Sequence, residues 1–408
     1  RDDAEAMEEL SHLCDCVLSH DRKIRIRADD SVMDFYRGHP YMIRRSRGYA
    51  PLPFMVSTHW KGQVAAAGGE LKNTFCIGVD NRFYPSPYVG DLEDLRTVKA
   101  LKETIGRLET LLEVQPEVAV CDLHPKYNST VVAQELGIPV LKVQHHYAHI
   151  LSCMAENDCE EKVIGVSFDG TGYGTDGTIW GGEILIADHQ EFTRIGSIEP
   201  FVQAGGDASA KEGWRIAVSL IWQNTGNLEE VLETVQKLGL CTEQEAKVLV
   251  TMVQRRINAV TSTSAGRLFD GVSAILGIRK ASTFEGEAST ALEFAAEEWK
   301  KKKAGALQQP DPGSRVEGLK GWMPEDTGAS ESSAEERKFI LNTGKIVENL
   351  TRARLAGEDS RKLAYEFHEA LAEQITEACR QAEKQTGIRK VALSGGVFQN
   401  RLLLELGD

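Results

Sequence analysis

The stretches VQHHYAHILSCMAEN (143–157) and VIGVSFDGTGYGTDGTIWGGE (163–183) decide how this chain is interpreted. The first indicates the end of a buried strand over 139–143, followed by a helix. On that helix His145 and His149 are four residues apart and share one face. This is the spacing at which two imidazoles can bind the same metal ion.

The second stretch indicates an apolar strand that ends at Asp169 and opens into a glycine-rich turn over 170–174. Glycine adopts backbone angles that other residues avoid, so such a turn lets N–H groups approach a phosphate closely. Each pattern alone is weakly specific, because paired histidines are also common on helix surfaces and in hydrogen-bonded cores. Their proximity in sequence favours a metal site beside a nucleotide phosphate.

Composition limits the classes of partner. The chain has 408 residues, of which 41% are hydrophobic, as expected for a globular protein. Its 47 Lys and Arg against 61 Asp and Glu give a net charge of −14, which argues against a nucleic-acid partner. The sequence predicts neither a membrane span nor a signal peptide, so we expect a cytoplasmic protein. The eight cysteines are scattered and are expected to be free thiols and spectators in any chemistry.

Strands and helices alternate before the histidine pair. VAVCDLHP (118–125) indicates a buried strand, and residues 128–137 a capped helix. With the strands on either side of the histidine helix, this order predicts one α/β layer with parallel pairing. Ligands bind at the carboxyl ends of such strands, where Asp122, His145 and Asp169 are expected.

The remainder is predicted to be mainly helical. A long amphipathic helix is expected over 92–112, and a glycine- and proline-rich loop over 301–336. The segment LSGGVFQN (393–400) indicates a strand, a tight glycine turn and a helix that begins at Asn400. Further helices are expected over 211–223, 228–238, 243–258, 267–276, 287–303 and 361–386.

The first 54 residues are rich in arginine and are expected to form a helix and two or three short strands. Their arginines could form an anion-binding surface or ordinary solvated strand edges. The residues concerned are Arg25, Arg27, Arg44, Arg45 and Arg47, beside Asp29, Asp30 and Ser31.

Six strings in this order resemble the HypF family, the carbamoyltransferases of nickel–iron hydrogenase maturation. They are AGGELKNTFC (67–76), VQHHYAH (143–149), DGTGYGTDGTIWGGE (169–183), GGDASAKEGWR (205–215), GRLFDGVSAILG (266–277) and LSGGVFQN (393–400). The resemblance implies a Kae1-like carbamoyltransferase domain over 55–408, preceded over 1–54 by the C-terminal part of a YrdC-like α/β domain. The fold implied is α/β and actin-like (the ASKHA ATPase fold), with two related lobes and helical insertions.

The resemblance also implies a reaction. A carbamoyl group would pass from carbamoyl adenylate, made from carbamoyl phosphate and ATP with Mg²⁺, to the C-terminal cysteine thiol of a HypE-like maturation protein. A divalent metal, Fe or Zn, would be held by His145, His149 and Asp169. Catalytic roles are expected for Lys72 and Lys211. The residues expected at the nucleotide are Asp169, Gly170, Thr171, Gly172, Gly174, Glu287, Gly395, Gly396 and Asn400.

The family has a further metal-binding aspartate, in a DGG-like string after the glycine turn. The 408 residues end before such a string, so we expect the metal site to be incomplete within them. The resemblance leaves open an O-carbamoyltransferase, a tRNA threonylcarbamoyl transferase or an inactive nucleotide-binding fragment. A metalloprotease is disfavoured because the glutamate of HExxH is missing, and a sugar or acetate kinase because it would not explain the histidines.

Overall fold

The computed structural model describes residues 3–22, 24, 26–307 and 339–407. The chain divides into two compact units, residues 1–142 and 143–408. This division differs from the predicted boundary at residue 54. The assignment of residues 1–54 to a YrdC-like domain stays a prediction.

The first unit contains three helices and eight strands among its described residues. In chain order they are α1 Asp3–Leu10, β1 Val32–Tyr36, β2 His39–Arg44, β3 Phe54–Met55, β4 Gln63–Ala66, β5 Cys76–Val79, β6 Arg82–Pro85, α2 Leu95–Leu112, β7 Val118–Asp122, α3 Asn128–Glu135 and β8 Val140–Val143.

Six of these strands form one sheet in the order β3-β6-β5-β4-β7-β8. Strands β4, β5 and β6 form an antiparallel meander, and β7 returns through α2 to lie parallel to β4. Helix α2 buries Leu101, Ile105 and Leu108 against this sheet, as its amphipathic pattern predicts. It begins at Leu95 because the Asp94 side chain caps its first turn.

The second unit contains ten α-helices and seven strands among its described residues. They are α4 His145–Glu156, β9 Val163–Tyr173, β10 Ile179–Ala187, β11 Phe192–Ile198, β12 Phe201–Ala204, α5 Ala208–Lys211, α6 Gly213–Thr225, α7 Leu228–Leu238, α8 Glu243–Arg255, β13 Ala259–Ser262, α9 Ala265–Ile275, α10 Glu287–Leu307, β14 Phe339–Leu341, α11 Thr343–Leu355, α12 Ser360–Thr386, β15 Val391–Ser394 and α13 Arg401–Gly407, with a 3₁₀ turn at Gly396–Gln399.

The second sheet repeats the topology of the first. Strands β9, β10 and β11 form an antiparallel meander, and β15 returns through helices to lie parallel to β9. The order β11-β10-β9-β15 therefore matches β6-β5-β4-β7. This internal duplication is the signature of the predicted actin-like fold, although the two halves share no visible sequence repeat.

The prediction of one parallel layer through residues 118–125, 139–143 and 163–168 is wrong. Strands β7 and β8 belong to the first sheet, whereas β9 starts the second. The physical reason is the long hairpin partner β10, which pairs with β9 from Val163 to Tyr173 in antiparallel register. Consequently Asp122 lies in the first unit, and both glycine-rich segments, 170–174 and 395–396, lie in the second.

The arginine-rich segment is paired locally. Arg44 contacts Asp29 at 2.6 Å and Arg47 contacts Asp30 at 3.6 Å. Arg25 lies outside the described residues, as does most of the predicted loop over 301–336, of which residues 301–307 complete α10. Within the described ranges, no helix combines the length and apolar character needed to cross a membrane.

A buried carboxyl group joins α10 to the start of α13. Glu293 is 8% exposed and accepts the Arg401 N–H at 2.8 Å. Burial outweighs this hydrogen bond and raises the pKa of Glu293 to about 7. Because the folded chain then binds this proton more tightly than the unfolded chain, Glu293 lowers stability as the pH rises from about 4.5 to 7.

Glu293→Gln keeps an acceptor for the Arg401 N–H and removes the charge. We expect the variant to exceed the parent in unfolding free energy by roughly 1–3 kcal/mol at pH 8, and by much less near pH 4.5. Urea unfolding across this pH range measures the difference. Glu298→Gln, on the exposed side of α10, is the control; a pH-independent difference for Glu293→Gln would contradict the interpretation.

Candidate metal and nucleotide site

Helix α4 presents the histidine pair because its other face is buried. Tyr147, Ile150 and Met154 pack into a small core with residues of β9 and β10. His145 and His149 lie beside this stripe and are half-buried. The helix is capped by Gln144, whose side-chain oxygen accepts the Tyr147 N–H at 2.9 Å.

Asp169 lies on β9, opposite the two imidazoles. Its Oδ2 is 3.1 Å from His145 Nε2 and 3.5 Å from His149 Nε2. One donor atom from each of the three residues lies within 4.8 Å of the other two. The structure therefore brings together the three residues that the sequence suggested as metal ligands.

The carboxylate of Asp169 is ionised in this environment. Burial opposes ionisation, but hydrogen bonds from His145 and His149 outweigh it and hold the pKa of Asp169 well below its usual range. An ionised carboxylate and two imidazole nitrogens are a donor set that suits Zn²⁺ or Fe²⁺. These residues fit the metal that the family resemblance implies.

Gly396 is tied to the same carboxylate. Its N–H donates to Asp169 Oδ1 at 3.1 Å, on the oxygen that does not face the histidines. Gly395 has φ of 101°, and a side chain there would meet the Phe168 backbone carbonyl carbon at 2.7 Å. A glycine is required at 395 both by this backbone angle and by the close approach to β9.

His146 is a third histidine, which sequence reasoning left without a role. It is fully buried, and burial together with the neighbouring His145 lowers the pKa of His146 well below its usual range. The Gln144 amide nitrogen donates to its Nδ1 at 3.1 Å and to the Tyr173 carbonyl at 3.1 Å. The proton of His146 is therefore on Nε2, which finds no hydrogen-bond partner among the described residues.

The predicted glycine turn at 170–174 is wrong. Strand β9 continues through Tyr173, and the turn to β10 occupies residues 174–178. A side chain at Gly172 would lie 2.9 Å from His146 Nδ1 and 3.0 Å from His145 Cβ. Gly172 is thus explained by the close packing of α4 on β9, not by an approach to phosphate.

The hairpin tip rests on a network of charged and aromatic residues. Asp176 accepts hydrogen bonds from the Thr178 N–H and the Trp180 indole, both at 3.0 Å. Arg194 stacks on Trp180, 4.3 Å from the ring centre, and donates to the buried Glu183 at 2.5 Å. Glu183 could have been found from the sequence, because it directly follows the glycine pair of the string over 169–183. No sequence pattern pointed to its partner Arg194.

Helix α9 approaches the same strands from its first turn. The Ser264 hydroxyl donates to the Gly170 carbonyl, and a side chain at Gly181 would lie 2.8 Å from Ser264 Cα. A side chain at Gly170, in contrast, would meet no atom within 4 Å. Gly170 and the exposed Thr171 are therefore open to a ligand, whereas Gly172 and Gly174 are buried.

The remaining predicted site residues have varied surroundings. Lys72 is exposed on a turn of the first unit, and Lys211 is exposed at the end of α5. Glu287, the first residue of α10, accepts the Thr283 N–H at 2.6 Å and pairs with Arg279 at 3.0 Å. The side chain of Asn400 caps α13 and contacts a buried histidine. The catalytic and nucleotide-binding roles of these residues stay predictions.

The topology and the site define a protein class: an actin-like α/β fold of two related sheets that carries a two-histidine, one-aspartate cluster next to a glycine turn. Comparison with known proteins agrees. The family described as "Carbamoyltransferase, Kae1-like Domain, second subdomain" matches residues 165–407. The "HypF Kae1-like domain" matches residues 59–156.

Individual relatives carry the same name. Carbamoyltransferase HypF of Synechocystis sp. is 35% identical over 99% of this chain and 50% of that protein. A carbamoyltransferase HypF homolog of Cupriavidus necator is 34% identical over 83% of this chain and 82% of that protein. A crystal structure of full-length HypF in the phosphate- and nucleotide-bound form superimposes with a TM-score of 0.84 at 34% identity, covering 99% of this chain and 59% of that one.

This chain belongs to the HypF carbamoyltransferase family, and its residues 59–156 and 165–407 match the Kae1-like part of that family. It spans about half the length of several curated relatives that it matches, such as the Synechocystis protein at 50%.

Two glycines of β9 provide a matched test of the packing argument. Gly172→Ala places a methyl group against α4, so we expect a loss of about 1–3 kcal/mol in unfolding free energy. Gly170→Ala places it in open space, so we expect a change below about 1 kcal/mol. Urea unfolding measures both variants, and equal losses would contradict the assignment of Gly172 to helix–strand packing.

Proposed function

We propose that this chain carries the carbamoyl-transfer centre of a HypF-type protein. The observation that carries the proposal is the Asp169 carboxylate, which meets His145 and His149 through Oδ2 and the Gly396 N–H through Oδ1. One side chain thereby joins a metal-donor set to the glycine turn. The substrate would be carbamoyl adenylate, formed from carbamoyl phosphate and ATP with Mg²⁺.

The nucleotide part of the proposal is supported by two features. Gly396 is exposed and Gly170 faces open space, so backbone can approach a flat ring or a phosphate at both places. The full-length HypF of known structure was crystallised in a phosphate- and nucleotide-bound form. We infer that the same chemistry is bound here, next to β9.

The metal would be held by His145 Nε2, His149 Nε2 and an oxygen of Asp169. When bound, it would supply positive charge that polarises the phosphate or carbonyl oxygens of the adenylate. Other residues orient these metal donors: Gln144 fixes the first turn of α4, and the Gly396 N–H fixes the rotation of the Asp169 carboxylate. Such contacts hold the three donor atoms where one metal ion could bind them all.

The acceptor we propose is the C-terminal cysteine thiol of a HypE-like maturation protein. A carbon–sulfur bond forms to the carbamoyl carbon, the bond from that carbon to the phosphate oxygen breaks, and AMP leaves. The thiol proton passes to solvent water, which balances the additional negative charge on the departing AMP. A thiol supplied in trans agrees with Cys153, the cysteine of α4, whose pKa is raised by burial so that the thiol stays protonated.

Loss of one imidazole should weaken metal binding. We expect His149→Ala to bind Zn²⁺ or Fe²⁺ at least ~100-fold more weakly, because a direct ligand matters at least as much as the outer-shell groups that orient it. Elemental analysis after equilibrium dialysis measures the bound metal. His59→Ala, which removes an exposed histidine of the first unit, is the control; equal metal content in both variants would place the metal elsewhere.

Transfer itself is tested with radiolabelled carbamoyl adenylate and a cysteine-terminated acceptor peptide. A side chain at residue 396 would press on Asp169 Oδ1 at 2.9 Å, so we expect Gly396→Val to reduce transfer at least ~100-fold.

Cys153→Ser should keep transfer and lose some stability. Label trapped on Cys153, and lost together with transfer in that variant, would show a covalent relay and overturn the direct mechanism.

A matched acceptor series separates the alternatives. A thiol peptide, its serine counterpart and a transfer RNA should differ, with label on the thiol peptide alone. Label on the hydroxyl would instead favour an O-carbamoyltransferase. Transfer RNA labelled from threonylcarbamoyl adenylate, supplied in a separate assay, would favour a threonylcarbamoyl transferase.

A further inference from the structure

His368 is a buried titratable residue that the proposed reaction does not use. It lies on α12 with 0% exposure, and its ring packs edge-on against Phe269 and Phe367 with centroids 5.5 and 5.6 Å apart. Burial lowers the pKa of His368 to about 4, so the ring is neutral. An apolar side chain could fill the same space in the core, so the reason for a histidine must lie in its two ring nitrogens.

Both ring nitrogens are hydrogen-bonded. Nδ1 is 2.7 Å from the Ala364 carbonyl oxygen, and Nε2 is 2.8 Å from the side-chain nitrogen of Asn400. A carbonyl oxygen only accepts, so the proton of the neutral ring is on Nδ1. Nε2 is therefore an acceptor, and it receives a hydrogen bond from the Asn400 amide.

This fixes the orientation of the Asn400 side chain. With its nitrogen on His368, its oxygen faces α13 and accepts the Leu403 N–H at 2.9 Å. Asn400 thus has two independent anchors, one on α12 and one on the first turn of α13. If the amide were flipped, its nitrogen would face the Leu403 N–H, so two donors would meet. Its oxygen would face the unprotonated Nε2 of His368, so two acceptors would meet.

Asn400 ends the short segment that begins with the glycine pair. At the other end of this segment the Gly396 N–H meets Asp169 Oδ1 at 3.1 Å. Between the two, the Phe398 ring packs on Phe168 of β9 with centroids 5.9 Å apart. Residues 395–400 are consequently held at both ends, and a shift of Asn400 would change the direction of the Gly396 N–H.

We propose that His368 is a positioning residue for the glycine turn: through Asn400 it holds residues 395–400 in the conformation that directs the Gly396 N–H at Asp169. The effect on ligands rests on the proposed nucleotide site at this turn. His368 is not part of the His145, His149 and Asp169 cluster and acts through Asn400. Its role is therefore one of geometry and involves no proton transfer.

The experiment compares two buried positions on α12. His368→Leu fills the core and loses both hydrogen bonds, whereas Ile375→Ala removes buried apolar volume two turns along the helix. Amide hydrogen–deuterium exchange of residues 395–400 is measured first, relative to exchange in β9. ATP binding is then measured by calorimetry, with chemical unfolding as the record of stability.

We expect His368→Leu to speed exchange over 395–400 by about ten-fold or more and to weaken ATP binding by about ten-fold, the effect of one lost buried hydrogen bond. Ile375→Ala should reduce stability and leave both readouts unchanged. Asn400→Ala removes the hydrogen bond between His368 and Asn400 from the Asn400 side. It replaces His368→Leu in the experiment if that variant does not fold. The effects of the double variant on exchange and ATP binding should be smaller than the sum of the two single changes, because both variants remove the His368–Asn400 hydrogen bond.

Exchange over 395–400 that is unchanged in both His368→Leu and Asn400→Ala overturns the positioning role, whatever ATP binding does. Faster exchange with unchanged ATP affinity overturns the link between the turn and the nucleotide. If the unaltered protein does not bind ATP but the variants still exchange faster, the positioning role is upheld. The proposed nucleotide site is then the part that is contradicted. The two proposals can therefore fail separately.

Discussion

The carboxylate of Asp169 is the interaction on which the site depends. It lies on a buried strand, and its two oxygens have different partners. Oδ2 faces the two imidazoles of α4, whereas Oδ1 receives the Gly396 N–H. A helix, a strand and a turn distant in sequence therefore meet at one side chain. If α4 or the glycine turn moves, the Asp169 carboxylate loses one of its partners and the geometry of the three metal donors changes.

Close packing makes that meeting possible. Helix α4 can approach β9 because Gly165 and Gly172 leave room for Ile150 and His146. Thr263 and Ser264, which lead into α9, approach β10 at Gly182 and Gly181. Several glycines that resemble a phosphate-binding loop in sequence thus serve helix–sheet contacts, and the glycines left for a ligand are those with open space or exposed backbone.

Local patterns were enough to predict much of this architecture. The spacing of His145 and His149 and the amphipathic stripe of α2 are each contained within a few turns of one helix, where periodicity is informative. The fold class followed from the family resemblance, and the repeated strand order agrees with it. The convergence of the histidines on Asp169 was predicted from their shared helix face and from a strand expected to end at Asp169, although β9 in fact continues through Tyr173.

Long-range pairing could not be predicted in the same way. The sheet to which β9 belongs is decided by its hairpin with β10, and an apolar run shows no preference between a parallel and an antiparallel partner. The position of the turn at 174–178 could not be predicted either, because the sequence does not distinguish glycines inside a strand from glycines in a turn. The His368–Asn400 contact joins residues 32 positions apart and has no local signal.

The central role of Asp169 is tested most directly by anomalous X-ray diffraction at the Zn or Fe absorption edge on crystals of metal-loaded protein. We expect one strong peak within about 2.0–2.2 Å of His145 Nε2, His149 Nε2 and an Asp169 oxygen, with the Gly396 N–H still on the other oxygen. A peak bound by other side chains, or a metal that leaves Asp169 without a role as ligand, would contradict this role.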